Sequence, residues 1–204
     1  MTGGDEVGAA AAVQRAIGRR TLLRAAALGW LCCLSSPSRP ALAQDGGIAA
    51  SEQSIKAAYL FKLPAYVDWP PGRFEQPDSA FTIGVLGADE VATELALLTA
   101  GRTVNGRPLA IRRLAQDDLL EDVHVLFFSG AALNRSERIA ADAAAQAILT
   151  VTDLPGGSQD SVVSFINVNG RLRFEVRLGA AQRNGLRLHS GLLAVAARVH
   201  GSAP

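Results

Sequence analysis

Three short apolar runs constrain the fold of this 204-residue chain more than any other feature. They are FTIGVLG from Phe81, VHVLFF from Val123 and ILTV from Ile148, and none contains Lys, Arg, Asp or Glu. Such runs are typical of strands buried on both faces, as in parallel sheets. Helical patterns near 91–98 and 134–145 lie between them, and parallel strands need such crossovers. The sequence therefore predicts an α/β fold with helices flanking a parallel inner sheet.

Two Asn-Gly pairs each predict a tight turn between antiparallel strands. Asn105-Gly106 lies within residues 103–111, and Asn169-Gly170 separates strands predicted over 162–168 and 171–178. The second hairpin would add an antiparallel pair at one side of the sheet. We therefore expect a single domain with a mixed β-sheet, built from parallel inner strands plus a hairpin in the C-terminal half.

The ends of the helices are predicted from local signals. Asp89 is expected to cap the helix that begins near residue 91. After the second hairpin, residues 179–185 predict a helical turn that Gly185 ends, and residues 190–199 predict a closing helix.

The stretch KAAYLFKLPAYVDWP, residues 56–70, holds both lysines and both tyrosines of the chain. It predicts a helix capped by Ser51 or Ser54, with a break at Pro64, whose ring clashes with the preceding turn. Pro70 and the two residues after it are expected to end the helix. The apolar positions at helical spacing are Ile55, Tyr59, Leu63 and Tyr66.

Three roles are open for this stretch: packing on the sheet, a partner or dimer surface, and contact with a membrane. We expect packing, because the proline break and the small number of cations do not favour a membrane helix. In that arrangement the aromatic residues, with Trp69, anchor the helix. Lys56, Lys62 and Asp68 are then expected to stay outside.

The N-terminus has the features of a secretory signal. Four arginines precede the apolar run at 28–34, which is too short to span a bilayer, and Ala41 and Ala43 form a small-x-small cleavage site. Arg19-Arg20 also fits a twin-arginine signal. We predict secretion and three segments: a signal peptide over 1–43, a flexible lead-in over 44–51 and one domain over 52–204.

Removal of this leader would change the composition of the chain. Residues 1–43 hold five arginines, two acids and both cysteines, so the 20 basic and 19 acidic residues would fall to 15 and 17, a net charge of −2. A nearly neutral chain is not an electrostatic nucleic-acid binder. Without a thiol, the exported chain could form no disulfide and no cysteine-ligated metal site.

No motif predicts a catalytic or metal site. The chain has no Walker sequence, no G-x-G-x-x-G and no G-x-S-x-G, and His124, His189 and His200 have no ligand spacing. Acid pairs at 117–118 and 121–122 are typical of a solvated face. We therefore predict no enzyme activity, no catalytic residue, no metal and no cofactor.

Charged and apolar residues alternate along the last predicted strand, from Arg171 to Leu178. The period of two places the charges on one face and the apolar side chains on the core face. The charged face could be a solvated surface or an interaction or anion-binding face. Our candidates for contact with a partner or ligand are Lys56, Lys62, Trp69, Arg171, Arg173, Glu175 and Arg177.

Seven pieces of sequence occur in a telling order over residues 52–199: KAAYLFK with YVDWP, FTIGVLG, TVNGRP, VHVLFF, LTVTDLP, NGRLRFEV and GLRLHSGLL. The ordered set resembles the YfiR-like family (YfiR and HmsC) of periplasmic regulators. The resemblance implies a protein, not an enzyme, that binds the periplasmic sensor domain of an inner-membrane diguanylate cyclase and holds the cyclase inactive. Release would raise cyclic di-GMP and favour biofilm. It also implies that dimers are common.

The chain departs from the family pattern at several points. After removal of the leader it would lack the cysteine pairs of some members, Ser164 stands where Asn is usual, and Pro64 interrupts the first helix. Because the family is broad, the partner could also be a sensor kinase. The alternative hypothesis is a periplasmic small-ligand sensor, or an accessory protein of a sensor kinase or transport system, with Trp69 lining a crevice at the strand ends.

Overall fold

The structure is a computed structural model that describes residues 50–130 and 136–201, all within the unit Gly46–Pro204. Its helices are α1 (Glu52–Lys62), α2 (Asp89–Thr99), α3 (Ser136–Gln146), α4 (Leu178–Arg183) and α5 (Ser190–Val195). Its strands are β1 (Val67–Asp68), β2 (Phe81–Leu86), β3 (Thr103–Val104), β4 (Arg107–Leu114), β5 (Val125–Phe128), β6 (Leu149–Thr152), β7 (Val163–Val168), β8 (Arg171–Arg177), β9 (Arg187–Leu188) and β10 (Arg198–His200). The predicted signal peptide and the predicted start of the third helix near residue 134 lie outside the described residues.

Eight strands form one mixed sheet in the order β10-β8-β7-β6-β5-β2-β4-β3. Strands β4, β2, β5, β6 and β7 run parallel, while β3–β4 and β7–β8 are antiparallel hairpins. The predicted α/β fold, with parallel inner strands and a C-terminal hairpin, is therefore confirmed. Strand β10 extends the sheet by pairing parallel with β8, and β1 and β9 form a separate antiparallel pair.

The two hairpins follow from their Asn-Gly turns. Asn105 and Gly106 have φ angles of 51° and 78°, and Asn169 and Gly170 have φ angles of 52° and 75°. Two consecutive residues in the left-handed region are what a type I′ turn requires. The sequence signal therefore predicted both turns correctly.

The inner strands are buried on both faces. Val125, Phe127 and Leu149 pack into the larger hydrophobic cluster, on the side of α1. Leu126 belongs to a smaller cluster that includes Ile139 of α3. Alternate residues of one strand thus enter different clusters, which explains why the three apolar runs contain no charged residue.

The first helix begins and breaks as predicted. The Ser51 hydroxyl accepts the backbone N–H of Ser54 at 3.0 Å, and the α-helix ends at Lys62. A 3-10 turn carries Pro64 and leads into β1, so the helix ends before the predicted stop at Pro70.

Burial corrects the expectation for the charges of this stretch. Lys62 and Asp68 are exposed, as expected, but Lys56 retains only 9% of its accessible surface. The expectation that Lys56 stays outside is therefore wrong. Tyr66, expected to pack on the sheet, is 42% exposed, because the chain has left the α-helical path by that residue.

Two other local predictions are wrong. The residue that precedes α2 is Ala88, without a side-chain cap; Asp89 is already helical and instead places its charge at the positive end of the helix. The predicted closing helix over 190–199 ends at Val195, and β10 follows. Strand β10 satisfies backbone groups along the outer side of β8, which would otherwise be unpaired.

Trp69 packs beside the first inner strand. Its ring lies edge-on to Phe81 at 5.1 Å and contacts Phe74 at 6.5 Å, both distances between ring centroids. Its indole nitrogen is buried without a hydrogen-bond partner among the described residues. The predicted anchoring position of Trp69 is therefore found in the structure.

We expect Trp69→Ala to lower the free energy of unfolding by about 2–3 kcal/mol, because a half-buried aromatic cluster loses its largest ring. Urea unfolding followed by circular dichroism would measure the change. Leu97→Ala is the control, since Leu97 is 72% exposed and should change stability by less than about 0.5 kcal/mol. Equal stability of wild type and Trp69→Ala would contradict the anchoring role.

His124 is held neutral at the amino end of β5. The ring stacks on Phe74 and Phe81, with centroid distances of 4.4 and 5.0 Å, and its Nδ1 accepts the Thr82 N–H at 3.1 Å. Burial and then the positive charge of Arg73 lower the pKa of His124 to about 4. In the unfolded chain the His124 ring binds a proton near pH 6.5, whereas in the folded protein it does so only near pH 4.

This difference predicts acid sensitivity. Between pH 6.5 and 4 the unfolded state binds a proton that folded His124 does not, so stability should fall by about 3 kcal/mol as pH drops through that window. Urea unfolding at pH 7.5 and 4.5 measures the loss. In His124→Asn, whose side-chain oxygen can still accept the Thr82 N–H, the pH dependence should become smaller. An unchanged pH dependence in that variant would refute the assignment.

Candidate functional site

Lys56 lies in a buried ion pair between α1 and the end of β6. Its Nζ donates to Asp153 Oδ2 at 2.7 Å and lies 2.8 Å from Glu52 Oε1, one helical turn earlier. The Lys56 and Asp153 side chains retain 11% and 18% of their surface, whereas Glu52 retains 57%. The pair therefore connects the first helix to the carboxyl end of an inner strand.

The charge of Lys56 is stabilised by its partners. Burial lowers the pKa of the ammonium group, but the hydrogen bonds to Asp153 and Glu52 outweigh burial and raise the pKa above its usual value. The Lys56 ammonium group is thus charged at neutral pH, and the stability that its raised pKa contributes is lost as pH rises through that pKa. A cleft of about 260 Å³ opens beside Lys56, lined also by Phe165 and Asn167.

Glu175, like Lys56, is a candidate contact residue that is buried in the structure and not exposed as predicted. It retains 7% of its surface, and its two carboxylate oxygens contact Arg198 Nη1 at 2.6 Å and His200 Nε2 at 2.9 Å. Both partners lie on β10, which the sequence analysis missed by predicting a helix there. Glu175 therefore joins β8 to β10 through its contacts with Arg198 and His200, and it is not an exposed charge.

Arg177 is also engaged within the protein. Its Nη1 donates to the Ser164 hydroxyl at 2.9 Å on the neighbouring strand. A Cβ atom at Gly157 would lie 3.0 Å from Arg177 Nη2, so the loop backbone passes close over the guanidinium group. Glycine is required there for this approach and for its φ of 70°.

Arg171 and Arg173 differ from the other two charges of β8. Both are exposed, and neither forms an ion pair with another described residue; Arg173 Nη2 lies 3.5 Å from the Val195 carbonyl oxygen. The apolar residues of β8 lie on the core face as predicted, since Phe174 and Val176 are buried and Leu172 packs against the larger hydrophobic cluster. The two arginines line a depression of about 510 Å³ that we call the arginine depression, formed by Val168, Asn169, Arg171, Arg173 and Ala197.

An apolar groove lies on the other side of the segment that joins α5 to β10. Its volume is about 140 Å³, and its exposed wall contains Tyr66 and Val195, which is 58% exposed. Lys62 also lines this groove and forms no ion pair with another described residue. Ala197 donates its N–H to Phe174 O at 2.8 Å, which holds this segment against the edge of β8.

We call the apolar groove and the arginine depression together the edge surface. They meet at the segment 195–197, since Val195 lines the groove and Ala197 the depression. Of the seven candidate residues, Arg171 and Arg173 line the depression and Lys62 lines the groove; the two lie on opposite faces of β8 and adjoin at its edge. Sequence reasoning missed Val195, because the pattern around it was interpreted as one face of a longer helix.

Other types of site find no support in the described part of the chain. There, no group of three or more His, Cys, Asp or Glu side chains could hold a metal ion. Nor does any helix among residues 50–130 and 136–201 have the length and apolar character to cross a membrane.

The sequence matches the family model described as YfiR/HmsC-like over residues 53–197. The chain belongs to the YfiR/HmsC-like family. The suspected resemblance is therefore confirmed, and it includes nearly all of the described fold. Among curated proteins, no sequence matches this chain significantly.

The buried ion pair of this YfiR/HmsC-like protein makes a quantitative prediction. Lys56→Met leaves the Asp153 carboxylate without its partner, and we expect a loss of about 3 kcal/mol in the free energy of unfolding. The change is measurable by urea unfolding. Lys62→Met is a matched control, because the only other lysine is exposed and should change stability by less than about 0.5 kcal/mol. Similar stabilities of the two variants would contradict the structural role of Lys56.

Proposed function

We propose that this protein is a periplasmic regulatory protein that represses an inner-membrane signalling partner by direct contact, and that the partner is a diguanylate cyclase. The observation that carries the proposal is the family match over residues 53–197. The proposal includes export through the signal predicted over 1–43. It gives the protein a binding role and no catalytic one.

Repression by contact needs a difference in affinity. A binding protein shifts a two-state partner only as far as it prefers one state, and an affinity ratio of about 10⁴ moves the equilibrium from 1:99 to 99:1. Release of the protein would return the cyclase to its active state.

The seven candidate residues have different roles in this proposal. Lys62, Arg171 and Arg173 contact the partner. Lys56, Glu175 and Arg177 hold the elements that shape the surface, through the contacts to Asp153, to β10 and to Ser164. Trp69 supports β2 by packing its ring edge-on against Phe81.

The alternative, a small-ligand sensor, has less support. The Trp69 ring packs against Phe74 and Phe81 instead of facing an open crevice. In the cleft beside α1, the Lys56 ammonium group is already paired with two carboxylates, so it offers little to an anionic ligand.

Deletion of the gene should raise cellular cyclic di-GMP and biofilm mass, since the cyclase would lose its repressor. The purified protein without residues 1–43 should also bind the periplasmic domain of an inner-membrane diguanylate cyclase from the same organism, measured by biolayer interferometry. Complementation with the wild-type gene is the control. Unchanged cyclic di-GMP on deletion, together with absence of binding, would refute the proposal.

A further inference from the structure

We propose that the edge surface binds an acidic, partly apolar segment of the partner's periplasmic domain, with Arg171 and Arg173 contacting carboxylates on one side of the segment 195–197 and the groove contacting apolar side chains on the other. This inference rests on the proposed function and names the chemistry of the contact. Its evidence is the coincidence of unpaired cations and exposed apolar side chains at one edge of the sheet.

The cations of the edge surface lack counter-ions in the described part of the protein. Lys62, Arg171 and Arg173 form no ion pair there, and the nearest acid of β8, Glu175, is occupied by Arg198 and His200. The guanidinium fork pairs with carboxylates in bidentate geometry, which gives orientation as well as attraction. A partner that supplies carboxylates would complete these contacts.

Most of the exposed large apolar side chains lie at or beside the edge surface. Among the described residues, six large hydrophobic side chains are exposed, and four of them belong to the edge surface or to the adjoining strand β10. Tyr66 and Val195 line the groove, Val168 lines the arginine depression, and Val199 lies on β10. Apolar side chains clustered beside cations are typical of interaction sites.

The spacing of the arginines indicates the form of the partner segment. Arg171 and Arg173 are two residues apart on one face of β8, which places them about 7 Å apart along the strand. Carboxylates two residues apart in an extended segment have the same spacing. The partner segment is therefore expected to be extended where it contacts the arginine depression, with acids at alternate positions.

Two other occupants fit the surface less well. In a two-fold symmetric dimer the same patch faces itself, so a second copy would bring Arg171 and Arg173 towards their own like charges. A lipid surface fits less well because the edge surface has too few cations. Basic clusters that recognise anionic lipids contain about 4–8 cations, whereas the edge surface has three: Lys62, Arg171 and Arg173. An acidic protein segment satisfies both the cations and the apolar groove.

The test is charge reversal, with the purified periplasmic domain of that cyclase as probe. Arg171→Glu and Arg173→Glu should each weaken binding about tenfold or more, and the double variant should lose it. Binding by the wild type should weaken as NaCl is raised from about 50 to 300 mM. Arg138→Glu, an equal charge change on exposed α3, is the control and should bind like wild type.

Folding and charge are controlled separately. Arg171→Lys with Arg173→Lys keeps the charge and should retain more binding than the Glu variants, and each variant should melt within about 2 °C of the wild type. If a Glu variant unfolds, Arg171→Gln with Arg173→Gln, which removes the charges without reversing them, decides the question: weaker binding than in the Lys variant supports the inference, and binding equal to wild type overturns it.

Each remaining outcome is decisive. Wild-type binding by the folded double Glu variant would overturn this inference and leave the proposed function standing. Failure of the wild type to bind the cyclase domain would overturn both. Self-association in analytical ultracentrifugation, or binding to phosphatidylglycerol vesicles, that the double Glu variant loses would assign the surface to a second copy or to lipid and also overturn it.

Discussion

Burial of the inner strands on both faces is the constraint on which the rest of the structure depends. Because β2, β5 and β6 pack into hydrophobic clusters on each side, these strands can carry no charged side chain. Charged side chains of the sheet lie instead at the strand ends, on β4 and on the outer hairpin. The Lys56–Asp153 pair lies at a strand end, and the arginines of β8 lie at the outer side of the sheet.

The outer hairpin divides its charges between structure and surface. Glu175 and Arg177 lie where β8 is flanked by β10 and β7, so their side chains are satisfied by neighbours on those strands. Arg171 and Arg173 lie beyond the reach of β10, which pairs only with residues 175–177. The same alternating pattern thus yields two buried or half-buried residues that join strands, and two arginines that form no ion pair with another described residue.

This division explains how much the sequence could predict. The apolar runs and the Asn-Gly turns act locally, so the inner strands and both hairpins were predicted correctly. The pairing of β10 with β8 is a long-range contact, and the pattern of residues 190–199 fits a helix equally well. Without β10, neither the burial of Glu175 nor the exposure of Val195 could be predicted. The burial of Lys56 likewise depends on Asp153, a residue 97 positions away.

The central claim is that the edge of the sheet at β8 and β10 contacts the signalling partner. Amide hydrogen exchange of the mature protein, with and without the cyclase's periplasmic domain, measures it most directly. The account predicts that exchange slows on binding in residues 168–173 and 195–200 and is unchanged in β4, at the opposite side of the sheet. Protection confined to β3 and β4, with none at the edge surface, would contradict it.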